Sequence, residues 1–293
     1  MKQNAYPQAK TTTKADLGSW LDQARAQLVN TAEQPATEAQ VLAATVLKKE
    51  RSWILAHPEY PLDPTQHDQL SHLLERLLAG EPLPYLTGSQ AFYGLDFWVN
   101  PSVLIPRPET ELLVDRALAW IDAHPMLHHI VDVGSGSGCI AVSIAKLRPS
   151  VQVVATEGSY EALCVARANA RRHQVEERIQ WVQADLLSPV QDRFGLVTAN
   201  LPYIESSHLA DLPVSRYEPR FALDGGEDGL SYIRGLIADA PRWLARDGCL
   251  LLEIEYTQGQ AVLGLARAVF PGALVRLHHD YSGLDRLVEI NNG

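Results

Sequence analysis

The chain has 293 residues, 46% of them apolar, and a formal net charge of −10. That length suits two domains, and the apolar share can fill a sizeable core. The acidic balance argues against stable binding to duplex DNA, where affinity comes largely from neutralised phosphates. Three isolated cysteines, Cys139, Cys164 and Cys249, make neither a metal pair nor a disulfide framework. They are expected as buried small residues in a reducing cytoplasm. No apolar run approaches the ~18 residues of a membrane span.

Residues 1–13 are polar, lack a signal-peptide core and are expected to form a flexible tail. From Lys14 to Ala79 the pattern is helical, with Trp20, Leu21, Ala24 and Leu28 on one face. Thr37 reads as the cap of a helix over 38–47. Pro64 opens another helix, closed by Gly80. Residues 1–80 therefore form a small helical domain, with Trp20 and Trp53 in its core. Residues 81–100 change character. Proline and glycine punctuate short runs rich in Tyr, Phe and Val, which predicts a β-hairpin linker pairing 86–91 with 92–99.

Two prolines hold the backbone extended around Arg107 in Leu104–Glu111, and a helix is expected from Glu109 to Asp122. From His129 onward strands and helices alternate: strands at 129–133, 151–157, 179–183, 196–200, 249–254, 274–278 and 286–290, with helices between most of them. Such alternation predicts an α/β domain over 101–293 with a parallel sheet and helices on both faces. Ligands then bind beyond the carboxyl ends of the strands. His128, His129, His278 and His279 are paired in sequence, but strand neighbours point to opposite faces, so no metal site is expected.

The strand ends carry the chemistry. The first runs into Gly134-Ser135-Gly136-Ser137-Gly138, a strand–turn–helix with backbone free to approach a ligand. The spacing is not the dinucleotide fingerprint, because Cys139 stands where its third glycine belongs. No Gly-Lys-Ser/Thr follows, which excludes a Walker loop. The second strand ends in Glu157, placed to hold both hydroxyls of a ribose. The third ends in Asp185 and Leu186, and the fourth in Asn200-Leu201-Pro202-Tyr203. Together they predict a nucleoside site.

The last four residues suggest a reaction at a poorly nucleophilic amide or aromatic amine. The Asn200 oxygen can accept one N–H of such a group, and the Leu201 carbonyl, held extended by Pro202, can accept another. Tyr203 offers a stacking face.

With these residues in view, the sequence resembles the release-factor glutamine methyltransferases over nearly its whole length. The matching pieces include Phe92–Leu95, Leu104–Glu111, Val131–Cys139, Asn200–Ile204, Tyr217-Glu218-Pro219 and Leu223–Leu230. The resemblance implies a seven-stranded, Rossmann-like class I methyltransferase domain behind a helical domain that recognises substrate. It implies S-adenosylmethionine as cofactor. Gly134 to Gly138 would cradle its methionine part, Glu157 (where the family more often has Asp) its ribose, and Asp185 and Leu186 its adenine, with Asn200 nearby. Asn200, Leu201, Pro202 and Tyr203 would grip the glutamine of a Gly-Gly-Gln loop in peptide chain release factors. The family usually has proline where this chain has Leu201. A monomeric cytoplasmic enzyme is implied, with no stable DNA binding and no membrane association. Methylation of a ribosomal-protein glutamine, or of adenine in DNA, are the alternatives. No side chain declares itself as proton acceptor.

Overall fold

The computed structural model describes residues 16–188 and 190–293; the expected tail over 1–13 lies outside them. The chain divides between Thr87 and Gly88 into two units, each compact in itself.

The first unit holds helices α1 (Leu17–Leu28), α2 (Pro35–Leu47), α3 (Arg51–Ala56), α4 (Pro64–Leu78) and α5 (Leu83–Thr87). Local chemistry sets their ends. The Asp16 side chain accepts from the Ser19 N–H at 2.8 Å. Asp63 and Gln66 cap α4 reciprocally, with Pro64 in the first turn, where a missing N–H costs nothing. Gly80, at φ 94°, follows. The apolar faces meet in one core that includes Leu17, Trp20, Leu42, Ile54, Leu70 and Leu74.

Three expectations change here. Thr37 is not a cap, because Pro35 starts α2 two residues earlier, after Gln34. Trp53 is only partly buried and stacks on His57, ring centroids 4.3 Å apart. Residues 83–87 are helical rather than part of a hairpin, and Leu86 packs into the helical core.

The second unit opens with a short hairpin, β1 (Ser89–Phe92) and β2 (Leu95–Trp98), in which Phe92 faces Leu95. Tyr93 and Gly94 both take positive φ, 51° and 72°, as a two-residue turn that matches strand twist requires. Tyr93 is held there by Glu111 Oε1, which accepts its N–H at 2.7 Å, and by its own hydroxyl donating to Asp115 at 2.5 Å. The pairing thus begins three residues later than the sequence suggested.

After α6 (Glu111–Ala123) come β3 (His129–Val133), α7 (Cys139–Leu147), β4 (Gln152–Glu157), α8 (Tyr160–Arg172), β5 (Ile179–Gln183) and β6 (Phe194–Ala199). The chain ends through α9 (Ser231–Trp243), β7 (Leu244–Glu253), α10 (Gly259–Val269), β8 (Leu274–His279) and β9 (Asp285–Asn292). A 3₁₀ turn, Pro108–Thr110, precedes α6, which therefore starts two residues beyond Glu109. The seven strands lie in the order β5-β4-β3-β6-β7-β9-β8. The first five are parallel, but β9 runs antiparallel to both β7 and β8, so the sheet is mixed. A five-residue link joins β8 to β9, too short for the crossover that a parallel pair needs.

Alternate side chains of the buried strands enter two cores. Ile130, Val153 and Leu251 pack with α6 and α7, while Val131, Val154 and Leu250 pack with α9 and α10. Cys139 and Cys249 are buried as expected, but Cys164 is exposed on α8. His278 Nε2 donates to Glu289, 2.7 Å away, and His279 lies 3.1 Å from Asp285, so each has its own carboxylate. No helix among the described residues is long and apolar enough to cross a membrane. Chain order reverses between β3 and β6, and a crevice opens where it does.

Candidate active site

A cavity of roughly 780 Å³ occupies that crevice. Gly134, Ser135, Gly136, Ser137, Glu157, Asp185, Leu186, Asn200, Leu201 and Pro202 all line it. Four strand ends therefore meet around one space.

The glycine turn is built by its backbone. Gly134, Gly136 and Gly138 have φ of 72°, 54° and 79°, the left-handed region that disfavours a side chain. The Gly134 and Ser135 N–H groups both donate to the Thr156 carbonyl at 2.9 Å, which pins the turn to β4. Glu157 completes the clamp. Its Oε2 accepts from the Gly136 N–H at 2.9 Å and its Oε1 from the Ser159 N–H at 3.0 Å. Gly138 does not line the cavity. A methyl group there would meet Ala166 of α8 at 3.1 Å, so this glycine serves helix packing.

The fourth strand end forms the opposite wall. The Asn200 Nδ2 donates to the Thr110 hydroxyl oxygen at 3.0 Å, which turns its Oδ1 the other way. Leu201 is buried, with its Cδ2 3.0 Å from where a Gly134 side chain would begin. Leu201 therefore locks this loop to the glycine turn, a packing role the sequence did not reveal. Tyr203 does not line the cavity; its ring packs on the α9 and α10 core, and burial raises its phenol above the usual range.

Comparison with known proteins agrees with this architecture. Residues 19–88 match the PrmC N-terminal domain, and residues 110–215 match the methyltransferase small domain. The release factor glutamine methyltransferase of Moorella thermoacetica is 43% identical over 87% of this chain and 90% of its own length. That of Bordetella pertussis is 40% identical over 86% and 93%. The chain belongs to the release factor glutamine methyltransferase family. In fold alone it also resembles the hMettl16 catalytic domain in complex with MAT2A 3′UTR hairpin 6, at 14% identity and TM-score 0.55, covering 69% of this chain and 77% of that one.

Several residues around the site of this methyltransferase escaped the sequence reading. Arg107 lines the cavity as its one Lys, Arg or His among the described residues. It pairs with the buried Glu218, whose other oxygen accepts from the Ile105 N–H at 3.1 Å. Gln258 Nε2 donates to the Tyr203 carbonyl at 2.9 Å and to the Gly229 carbonyl at 3.3 Å. A methyl group on Gly225 would come within 2.8 Å of the Pro202 oxygen and the Tyr203 Cα. The 223–230 loop thus braces the 200–203 loop from behind, and only glycine allows it that close.

Glu253, the last residue of β7, is the other omission. It is 2% exposed, and neither carboxyl oxygen has a hydrogen bond of normal geometry among the described residues. Burial pushes its pKa up to about 7, against the pull of Thr110, Arg286 and Asn200. Asp132, beneath the glycine turn, is likewise raised to about 7 by burial, although its Oδ1 accepts from the Thr198 hydroxyl at 2.9 Å.

Proposed function

We propose that this enzyme transfers a methyl group from S-adenosylmethionine to the side-chain amide nitrogen of the glutamine in the Gly-Gly-Gln loop of peptide chain release factors. The observation that carries the proposal is the meeting of two unlike walls in one cavity. A turn of backbone N–H groups with a buried carboxylate faces an amide acceptor beside a proline-restrained carbonyl. The names of the related proteins favour release factors as the partner.

The residues present fit that cofactor. Each Glu157 oxygen holds one backbone N–H and keeps acceptor capacity for a ribose diol. The Ser135 hydroxyl is buried, lines the cavity and has no partner among the described residues. Arg107 offers a cation to a carboxylate, while Glu157, Glu161 and Asp185 give the rest of the lining an acidic character suited to a cationic ligand. Asp185 and Leu186 would take the adenine, and Gly134 to Ser137 the methionine portion. The cofactor supplies an electrophilic methyl carbon on a sulfonium.

The protein's own share is positioning. Asn200 Oδ1 accepts one N–H of the substrate amide and the Leu201 carbonyl the other, which aims the nitrogen lone pair. Pro202 removes freedom from Leu201. In the same proposal the helical unit recognises the release factor, and the enzyme acts as a cytoplasmic monomer without stable DNA binding. Mass spectrometry of a release factor incubated with enzyme and S-adenosylmethionine tests it. One added methyl on the glutamine of Gly-Gly-Gln is expected. Methyl label in duplex DNA, or in a ribosomal protein, with none in release factor, overturns it.

A further inference from the structure

We propose that Glu253 is a positioning residue: through Thr110 it sets which end of the Asn200 side-chain amide faces the cavity, and its carboxylate form is the competent one. The proposal rests on the reading of the site as an amide alkylator. It follows from counting donors. An ionised carboxylate only accepts, a hydroxyl donates once, and a side-chain amide presents an acceptor at one end and donors at the other.

Asn200 Nδ2 already donates to the Thr110 oxygen, so the Thr110 hydrogen must point elsewhere. Register places Ala199 of β6 beside Leu252 of β7, so Asn200 and Glu253 continue those two strands side by side. Thr110 and Asn200 both stand close enough to Glu253 to favour its ionised form. A charged Glu253 takes the Thr110 hydrogen, Thr110 takes the Asn200 donor, and the Asn200 oxygen is left for the substrate N–H. A protonated Glu253 donates to Thr110 instead. The Thr110 hydrogen then seeks the Asn200 oxygen, and the amide turns its NH₂ toward the substrate NH₂, donor against donor.

The other groups around Glu253 come from separate elements. Arg286 of β9 favours its charge and is itself tied to Asp280 at 3.3 Å, while Glu109 before α6 opposes it. Tyr203 beyond β6 and Cys139 at the start of α7 both feel the charge, and burial holds both of them neutral. Glu253 thus titrates near neutrality as a buried carboxyl with both oxygens free among the described residues, beside the Thr110–Asn200 pair that faces the cavity.

Glu253→Gln tests this, read as methyl transfer to a Gly-Gly-Gln peptide across pH. At pH 8.5 kcat should fall ~10- to 100-fold, as a misdirected positioning group costs, with cofactor affinity unchanged. Wild-type kcat should decline as pH drops through about 7 and approach the variant, whose profile lacks that limb. Asp132 titrates in both proteins, so the difference between profiles isolates Glu253. The variant should melt no lower than wild type at pH 8.5, because it removes a dry charge; a merely structural carboxyl would do the reverse. Thr110→Val should reproduce the loss and Thr110→Ser should rescue it.

Nuclear magnetic resonance of the Asn200 side-chain amide gives a readout that needs no substrate. Its NH₂ signals should titrate with Glu253 in wild type and stay fixed in Glu253→Gln. A wild type inert on the peptide sinks the proposed function, while this titration still decides the present inference. Parallel pH profiles, or Asn200 signals that titrate identically in both proteins, overturn it.

Discussion

Glu157 and Glu253 occupy equivalent places in the fold and live in opposite environments. Each closes an inner parallel strand, and each is almost fully buried, at 7% and 2% exposure. Glu157 borders the cavity and receives two backbone N–H groups. Those two bonds tie the Glu157 carboxyl to the glycine turn and to the start of α8, so it is fixed in place at the cavity wall. Glu253 lies outside the cavity lining, has no well-formed donor, and is forced toward neutrality by burial. Strand topology thus brings acids to one end of the sheet. The donors around each decide whether it holds a ligand or steers a neighbour.

The largest effect expected on either side of that comparison is at Asn200. Asn200→Ala removes the substrate-facing acceptor on the Glu253 side, and turnover should fall by about 10²–10³, as for other preorganised contacts. Cofactor affinity should stay within ~threefold. Single-turnover kinetics and calorimetry separate the two quantities; a mutant with near-normal turnover would remove Asn200 from the reaction. Glu157→Ala should show the opposite split. Losing bonds to a carboxylate worth ~1.5–3 kcal/mol weakens S-adenosylmethionine binding by roughly ten- to a hundredfold. An unchanged affinity in a folded mutant would take Glu157 out of the cofactor site and collapse the contrast with Glu253.

How much of this was legible beforehand depended on whether a residue's partner lies near it in sequence. The β3–turn–α7 unit and Glu157 announce themselves because strand, glycines and acid follow from local pattern. The hairpin turn at Tyr93-Gly94 was misplaced because Tyr93 reaches positive φ only with Glu111 and Asp115, 18 and 22 residues away. The antiparallel β9 was missed because a crossover and a hairpin look alike when only alternation is counted. Glu253 was legible in principle, as the apolar run 249–252 ends in an acid, by the same rule that exposed Glu157. Its consequence was not, because Thr110 lies more than 140 residues upstream. Leu201 read as a departure from a motif, and only its contact with Gly134 gives it a role.

A smaller effect is expected behind the site. Gly225→Ala pushes a methyl group to within 2.8 Å of backbone atoms of Pro202 and Tyr203. Those atoms cannot swing away as a flexible side chain would, so the change should cost about 1–3 kcal/mol. Turnover should suffer more than cofactor affinity, because the displaced loop belongs to the Asn200 wall. A thermal melt superimposable on wild type would show that the 223–230 loop yields freely and does not brace the site.

The smallest effect is expected from Leu201→Pro, at the point where the two walls touch. Proline there gives the family's usual motif. Pro202 already biases this residue to the extended region, which proline also adopts. The Leu201 N–H has no backbone acceptor among the described residues, so Leu201→Pro forfeits no ladder bond. It does shorten a side chain buried against Gly134 and the Val131, Val133 and Ala199 core. Losing about one methylene of that contact costs ~0.8 kcal/mol, a fall in Tm of roughly 2–3 °C for a domain this size. The carbonyl keeps its aim, so turnover should remain within ~threefold. Leu201→Gly deletes the whole buried side chain and frees the backbone, which should cost ~2–5 kcal/mol and lower turnover with it. The pair of variants separates the carbonyl from the side chain. If glycine keeps full activity while proline is folded yet inactive, the carbonyl does not grip the amide, and the Asn200 wall works through its side chains alone.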